Sequence, residues 1–149
     1  MVQIVTLSEI GGVLMRIKLD ALDKLVSEYI RRKAIKEVGG CERCLAPKYD
    51  IVKEDGSIFP AWQQLQCCHF HGRGNHSVRY DPDNLAGLDF GCHQFLDSHP
   101  LEKIEFFKQR LGEDRFNMLN SRMRQMGKPD KKLLTLYYQS KIKEVDNGN

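Results

Sequence analysis

Between Cys67 and His93 the chain concentrates the side chains that can hold a metal ion or move a proton. Three of its five cysteines and four of its five histidines lie in CCHFHGRGNHSVRYDPDNLAGLDFGCH. Histidine titrates near pH 6.5, so His69 or His93 can accept a proton from water under neutral conditions, and imidazole, thiolate and carboxylate together ligate divalent ions. His69, Asn84 and His93 are spaced by fifteen (84 minus 69) and nine (93 minus 84) positions. Upstream, Cys41 and Cys44 follow Gly39-Gly40 in GGCERC, and a CxxC turn of this kind brings two thiolates toward one ion. Five cysteines, an odd number, with one CxxC and one CC pair, fit metal ligation better than a disulfide framework.

These residues need elements to position them. Apolar residues at Leu19, Leu22, Leu25, Val26, Tyr29 and Ile30 recur at three- and four-residue steps, which predicts an amphipathic helix over Leu19 to Ile35, ended by Gly39-Gly40. Its other face carries Lys24, Arg31, Arg32, Lys33 and Lys36, either a solvated face or a surface for phosphate. Glu54-Asp55-Gly56 reads as a turn between two short extended segments, with Trp62 as a core anchor. A strand over Leu65 to Phe70 delivers Cys67, Cys68 and His69, and alternation along it turns only one of the two cysteines into a site while the other fills core.

Residues 72 to 82 are rich in Gly, Asn, Asp and Pro and predict a loop ending in an extended piece, Val78-Arg79-Tyr80. His71, Arg73, His76 and Arg79 in or beside it can grip phosphate or simply face solvent. A second strand is expected after Asp83-Asn84-Leu85, then a helix from near Cys92 to about Ser98. Pro100 opens a helix over Leu101 to Leu111 that Gly112 closes. Phe116 to Met126 reads as helical, and so does Lys131 to Val145, with Leu133, Leu136, Tyr137, Ser140 and Lys141 on the packing side. Residues 1 to 18 read as a short strand or an arm interrupted by Gly11-Gly12. The expected class is α+β, with an arm and helix over 1–40, a metal-bearing centre over 41–99 and a helical region over 100–149.

A hydrophobic content of 41% and a charged content of 29% belong to a globular chain and exclude wholesale disorder. The net charge of +3 permits a nucleic-acid partner without requiring one. No run approaches the roughly 18 to 20 apolar residues of a membrane span, and the N-terminus lacks the order of a signal peptide, so no membrane partner and an intracellular place are expected.

The spacing of His69, Asn84-Leu85 and Cys92-His93 resembles the HNH nuclease family, over about a fifth of the chain. Residues 20 to 145 are similar to the phage NinG/Rap recombination proteins, through LDKLVSEYIRRK before the CxxC, CHFHGRG and VRYDPDN in the middle, and a helical tail after a glycine. The resemblance implies a ββα-metal hairpin with a zinc-knuckle element, flanked by N- and C-terminal helices. It also implies a metal-dependent endonuclease acting on branched DNA, a Holliday junction or D-loop, in the cytoplasm of a bacterial host.

On that reading His69 is the general base, Asn84 fixes its orientation by tying the loop to the hairpin, and His93 ligates the catalytic ion, Mg2+ or Mn2+. Asp97, one helical turn after His93, projects to the same side and is a second ligand. Cys68 stands where many HNH proteins place an acidic ligand. In the family two CxxC knuckles hold structural Zn2+. Here the first is Cys41 and Cys44, and the second has become Asp89-x-x-Cys92. The fourth ligand is then Asp89, Cys67 or a nearby histidine, and the alternative is that the cysteines are buried apolar residues. DNA contacts are expected from Arg31, Arg32, Lys33, His71, Arg73, His76 and Arg79. Symmetric cutting of a junction needs two active sites, which implies a homodimer. The competing functions are a nicking or homing-type HNH nuclease and a catalytically silent, zinc-bound DNA-binding or assembly protein.

Overall fold

The computed structural model describes residues 17–147. The expectations for the N-terminal arm fall outside this range except at its last two positions. The first helix, α1 (Ala21–Val38), starts two residues later than the apolar spacing alone suggests, because Asp20 and Asp23 close a reciprocal cap. The Asp23 N–H donates to Asp20 Oδ1 at 2.7 Å, and the Asp20 N–H donates to Asp23 Oδ2 at 2.8 Å. Gly39, at φ 73°, ends the helix in the left-handed conformation that glycine adopts without a Cβ penalty.

Two small antiparallel pairs follow. Strands β1 (Ile51–Val52) and β2 (Ile58–Phe59) flank the Glu54-Asp55-Gly56 turn as the sequence predicts, and a 3-10 turn over Ala61–Gln64 leads on. Strands β3 (Gln66–His69) and β4 (Leu85–Leu88) pair so that Cys68 faces Ala86 and His69 faces Leu85. Helix α2 (Phe90–Ser98) leaves β4 directly, capped by Asp89. Helices α3 (Pro100–Leu111), α4 (Glu113–Met123) and α5 (Lys131–Asn147) complete the described chain, which is α+β.

The β3–β4 pair divides the core in two. On one side Leu65, Cys68, Val78, Leu88, Leu96, Phe107, Phe116 and Leu119 form a cluster under α2, α3 and α4. On the other, Leu22, Val26, Ile30, Tyr80, Leu85 and Tyr138 form a second cluster under α1 and α5. This two-sided cover is why all four residues of β4 are buried. A fully buried leucine or phenylalanine contributes about 1.5–3 kcal/mol, so Leu85, Leu88, Leu96, Phe107 and Leu119 anchor the site's scaffold. Gly87 lets α1 come close: a Cβ there would sit 2.8 Å from the Ala34 Cβ.

Several expectations need correction. Trp62 is half-buried and is no core anchor; the Arg31 and Arg32 guanidinium groups lie over its ring at 4.7 and 4.6 Å. Val78, Arg79 and Tyr80 form a buried turn instead of an extended piece. On α5 the packing side is carried by Leu134, Tyr138, Ile142 and Val145, while Leu133, Leu136 and Tyr137 are exposed. The decisive partners lie far away in sequence: the Tyr138 ring packs tilted against Tyr29 with centroids 5.5 Å apart, and its hydroxyl donates to the Tyr80 carbonyl. Helix α4 begins three residues before Phe116, directly after Gly112. Among the described residues no helix is long and apolar enough to cross a membrane.

Candidate metal centres

The ligand atoms of Cys41, Cys44, Asp89 and Cys92 all lie within 4.8 Å of one another. The CxxC turn is shaped by its own backbone. The Leu45 N–H donates to the Cys41 carbonyl at 2.9 Å with Leu45 at φ 61°, and Gly40 bridges to Pro47. Only glycine fits at position 40, since a Cβ would overlap the Ala46 carbonyl. Glu42 fastens the turn to β4: its N–H donates to Gly87 O at 2.9 Å, while its Oε2 accepts the Gly87 N–H at 2.6 Å. The remaining oxygen, Oε1, accepts from Arg110 Nε at 2.8 Å.

Asp89 meets both halves of this group. Its Oδ1 caps α2 by accepting the Cys92 N–H at 2.8 Å, and its Oδ2 accepts from the Cys44 thiol at 3.1 Å. Burial works against its charge, but these hydrogen bonds hold its carboxyl below the usual carboxylate range. Burial pushes the Cys44 thiol up to about 12, and raises Cys92 against the pull of the Arg43 guanidinium at 3.4 Å. Three sulfurs and one carboxylate oxygen make a four-donor set that can hold a metal ion. Cys67 does not belong to it. It lies on the opposite face of β3 and packs against the Leu85 and Tyr138 cluster, so the fourth member is Asp89.

A second group, Cys68, His93 and Asp97, also has its ligand atoms within 4.8 Å of one another. His93 Nε2 is 3.3 Å from Asp97 Oδ2, one helical turn away. His93 Nδ1 is 2.7 Å from Gln66 Oε1. A carbonyl oxygen only accepts, so with an ion held at Nε2 the proton sits on Nδ1 and is donated to Gln66. Cys68 is wholly buried, and burial pushes its thiol up to about 12.

His69 ends the same strand. Burial, with the Arg73 charge adding to it, brings the ring down to about 4, so it is neutral and proton-accepting at pH 7. The segment just after it is held by Asn84, which is completely buried. Asn84 Oδ1 accepts the His71 N–H at 2.7 Å, its Nδ2 donates to His71 O at 2.9 Å, and its carbonyl accepts the Phe70 N–H at 2.9 Å.

Comparison with protein-family models, with curated proteins and with solved structures gives no match.

The residues expected to grip phosphate are scattered. Arg79 is 6% exposed, and its guanidinium is bound to the Asp23 carboxylate and to the Lys18 carbonyl, so it is a core ion pair and has no face toward DNA. The buried charge is tolerated because the pair is directly hydrogen-bonded. The His71 ring nitrogen Nε2 is engaged by Asn120 Oδ1 at 2.8 Å, which ties the segment to α4. Arg73 is half-buried, with Nε 3.7 Å from Asp23 Oδ1 and, among the described residues, without a hydrogen-bond partner. His76 is exposed. Arg32 pairs with Glu28 and Asp146, and Lys33 lies 3.9 Å from Glu37, so this part of the α1 basic face is partly neutralised.

Sequence reasoning did not find Gln66, Glu42, Arg110 or Lys103. Gln66 stands two positions before Cys68 on a strand and so on the same face, which was the available signal. Lys103 lies one turn into α3, and its Nζ is 2.9 Å from Asp97 Oδ1. No sequence pattern announces that contact.

Proposed function

We propose that the chain is a metal-dependent endonuclease of the HNH, ββα-metal type that hydrolyses phosphodiester bonds in DNA, with branched recombination intermediates as its substrate. The observation that carries this reading is the gathering of Cys68, His93 and Asp97 at one point, with His69 the next residue after Cys68 on a strand pair that runs into a helix. That order of strand, strand and helix, with Asn84 tying down the intervening loop, is what the family resemblance implies. The junction preference rests on the resemblance to the NinG/Rap proteins alone.

In this mechanism neutral His69 takes a proton from the attacking water. Asn84 keeps the turn after His69 in place through both backbone groups of His71. Gln66 fixes the His93 tautomer, and His93 Nε2, Asp97 and Cys68 would hold a divalent ion. Such an ion neutralises charge that builds on the phosphoryl oxygens. Mg2+ and Mn2+ are the expected ions, and the donor set supports one over the other. Mg2+ prefers an all-oxygen octahedron, whereas a sulfur, a nitrogen and an oxygen suit a softer first-row ion, so Mn2+ is the better fit. The Cys41, Cys44, Asp89, Cys92 group fits structural Zn2+, whose preferred ligands include thiolate.

The test uses plasmid, linear duplex and a four-way junction, each with Mg2+, Mn2+ or EDTA, and compares the parent with His69→Ala. The expected result is metal-dependent cleavage, fastest on the junction in Mn2+, and a loss on the order of 10²–10⁴-fold in His69→Ala. Equal cleavage by the variant would remove His69 from its role. A second reading, a zinc-bound DNA-binding protein without catalysis, draws on Cys68 standing where an oxygen ligand is usual. It requires that the parent bind the junction and cut none of the three substrates.

A further inference from the structure

We propose that Lys103 shares Asp97 with the divalent ion of the Cys68, His93 and Asp97 centre, so that its ammonium sets how tightly that ion is held. The inference rests on the reading of this group as an ion site, and extends it to a residue outside the ligand set.

The two oxygens of Asp97 face different partners. Oδ2 points to His93 Nε2 at 3.3 Å, on the side where Cys68 closes the group, and Oδ1 accepts from Lys103 Nζ at 2.9 Å. Lys103 stands in the first turn of α3, just past the corner with α2, where its N–H donates to the His99 carbonyl at 3.0 Å. The Lys103 side chain is 18% exposed, so water screens its charge only in part.

A charge count gives the direction of the effect. Before an ion enters, Asp97 carries one negative charge and Cys68 is a neutral thiol. An ion with two positive charges, entering as Cys68 releases its proton, raises the charge of the group by one unit; if the thiol stays protonated, the rise is two. In both cases a fixed ammonium beside Asp97 opposes loading. A hydrogen bond donated to a ligating carboxylate also draws electron density away from the metal, the reverse of the support that a carboxylate gives a ligating histidine. Lys103 therefore weakens the site for ions and makes it demanding about their supply. One unit charge a few ångströms away, partly screened, changes the affinity on the order of tenfold.

Two variants of the full chain, loaded with zinc, separate charge from hydrogen bonding. Lys103→Gln removes the charge and keeps a donor, whereas Lys103→Arg keeps both. Free Mn2+ is followed by electron paramagnetic resonance during titration, with His93→Ala as the variant that locates the bound ion. The expected result is a Kd for Mn2+ about tenfold tighter in Lys103→Gln, the parent value in Lys103→Arg, and loss of this binding in His93→Ala. A side chain that served only the fold would weaken binding when replaced, so the direction is diagnostic. Unchanged or weaker Mn2+ binding in Lys103→Gln overturns the proposal, as does equal tightening in Lys103→Arg. Undiminished binding in His93→Ala overturns the reading of the centre itself, and the proposal with it. Absence of DNA cleavage by the parent would sink the nuclease assignment while leaving this titration decisive.

Discussion

Asn84 spends its whole side chain on one residue, accepting from the N–H of His71 and donating to its carbonyl. Because Asn84 is fully buried, removing its amide strands two backbone groups away from water. Asn84→Ala is expected to lower the unfolding free energy by about 2–4 kcal/mol, measured by urea denaturation, and to slow cleavage beyond what the stability loss explains. A variant as stable as the parent would mean that the turn is held by Phe70 and the Asp81 to Asp83 contacts instead. At this scale the sequence was most legible where spacing alone carries meaning. His93 and Asp97 were expected on one side of a helix because one turn separates them, and His93 Nε2 lies 3.3 Å from Asp97 Oδ2. Arg79 was misread because a basic residue in a polar loop looks solvated until the fold brings Asp23 to it, 56 residues away in sequence. Lys103 was missed for the same reason on a smaller scale, since its contact with Asp97 depends on the angle of the corner at His99.

The elements were legible where local chemistry ends them. Gly39 and Gly112 stop α1 and α3, Pro100 opens α3, and the Glu54-Asp55-Gly56 turn joins β1 to β2. The buried side of α5 was not, because its sequence carries two apolar stripes and both have helical spacing. Contact with Tyr29 and Tyr80 chooses Tyr138. The close approach of α1 to β4 was equally hidden, and it yields a direct test. Gly87→Ala places a methyl 2.8 Å from the Ala34 Cβ, and both neighbours are backbone-fixed. The expected cost is about 1–3 kcal/mol in urea denaturation, with Ala34→Gly restoring part of it. No loss in Gly87→Ala would show that α1 can shift away freely.

For the molecule as a whole, the division of the core by β3 and β4 leaves the CxxC turn outside both clusters apart from Cys41, so its stability depends on its ligands and on Glu42. Elemental analysis of the purified protein is expected to find zinc. Removing it with a chelator, or making Cys41→Ser with Cys44→Ser, should lower the melting temperature by several degrees or more. A zinc-free protein whose melting is indifferent to both serines would exclude the structural ion. Helices α1 and α5 pack on one another within the chain. The outer side of α5 stays exposed, Leu133 and Leu136 at 64% each and Tyr137 at 48%, so the homodimer contact that two-site cutting would need is predicted there. Light scattering should give twice the chain mass for the parent and the single mass for Leu136→Asp; a parent that is a monomer at working concentration refutes the contact.

Helix α2 is only nine residues long, yet it has a foothold in each centre: Asp89 and Cys92 at its start, His93 and Asp97 along its inner turns. No hinge separates the two sets, so an ion that steadies the first turn lowers the entropy that the second must lose. By thermodynamic reciprocity, whatever factor one occupancy applies to the affinity of the other is returned in equal measure. The thiolate group is thereby joined to the Cys68, His93 and Asp97 group by a lever about two and a half turns long.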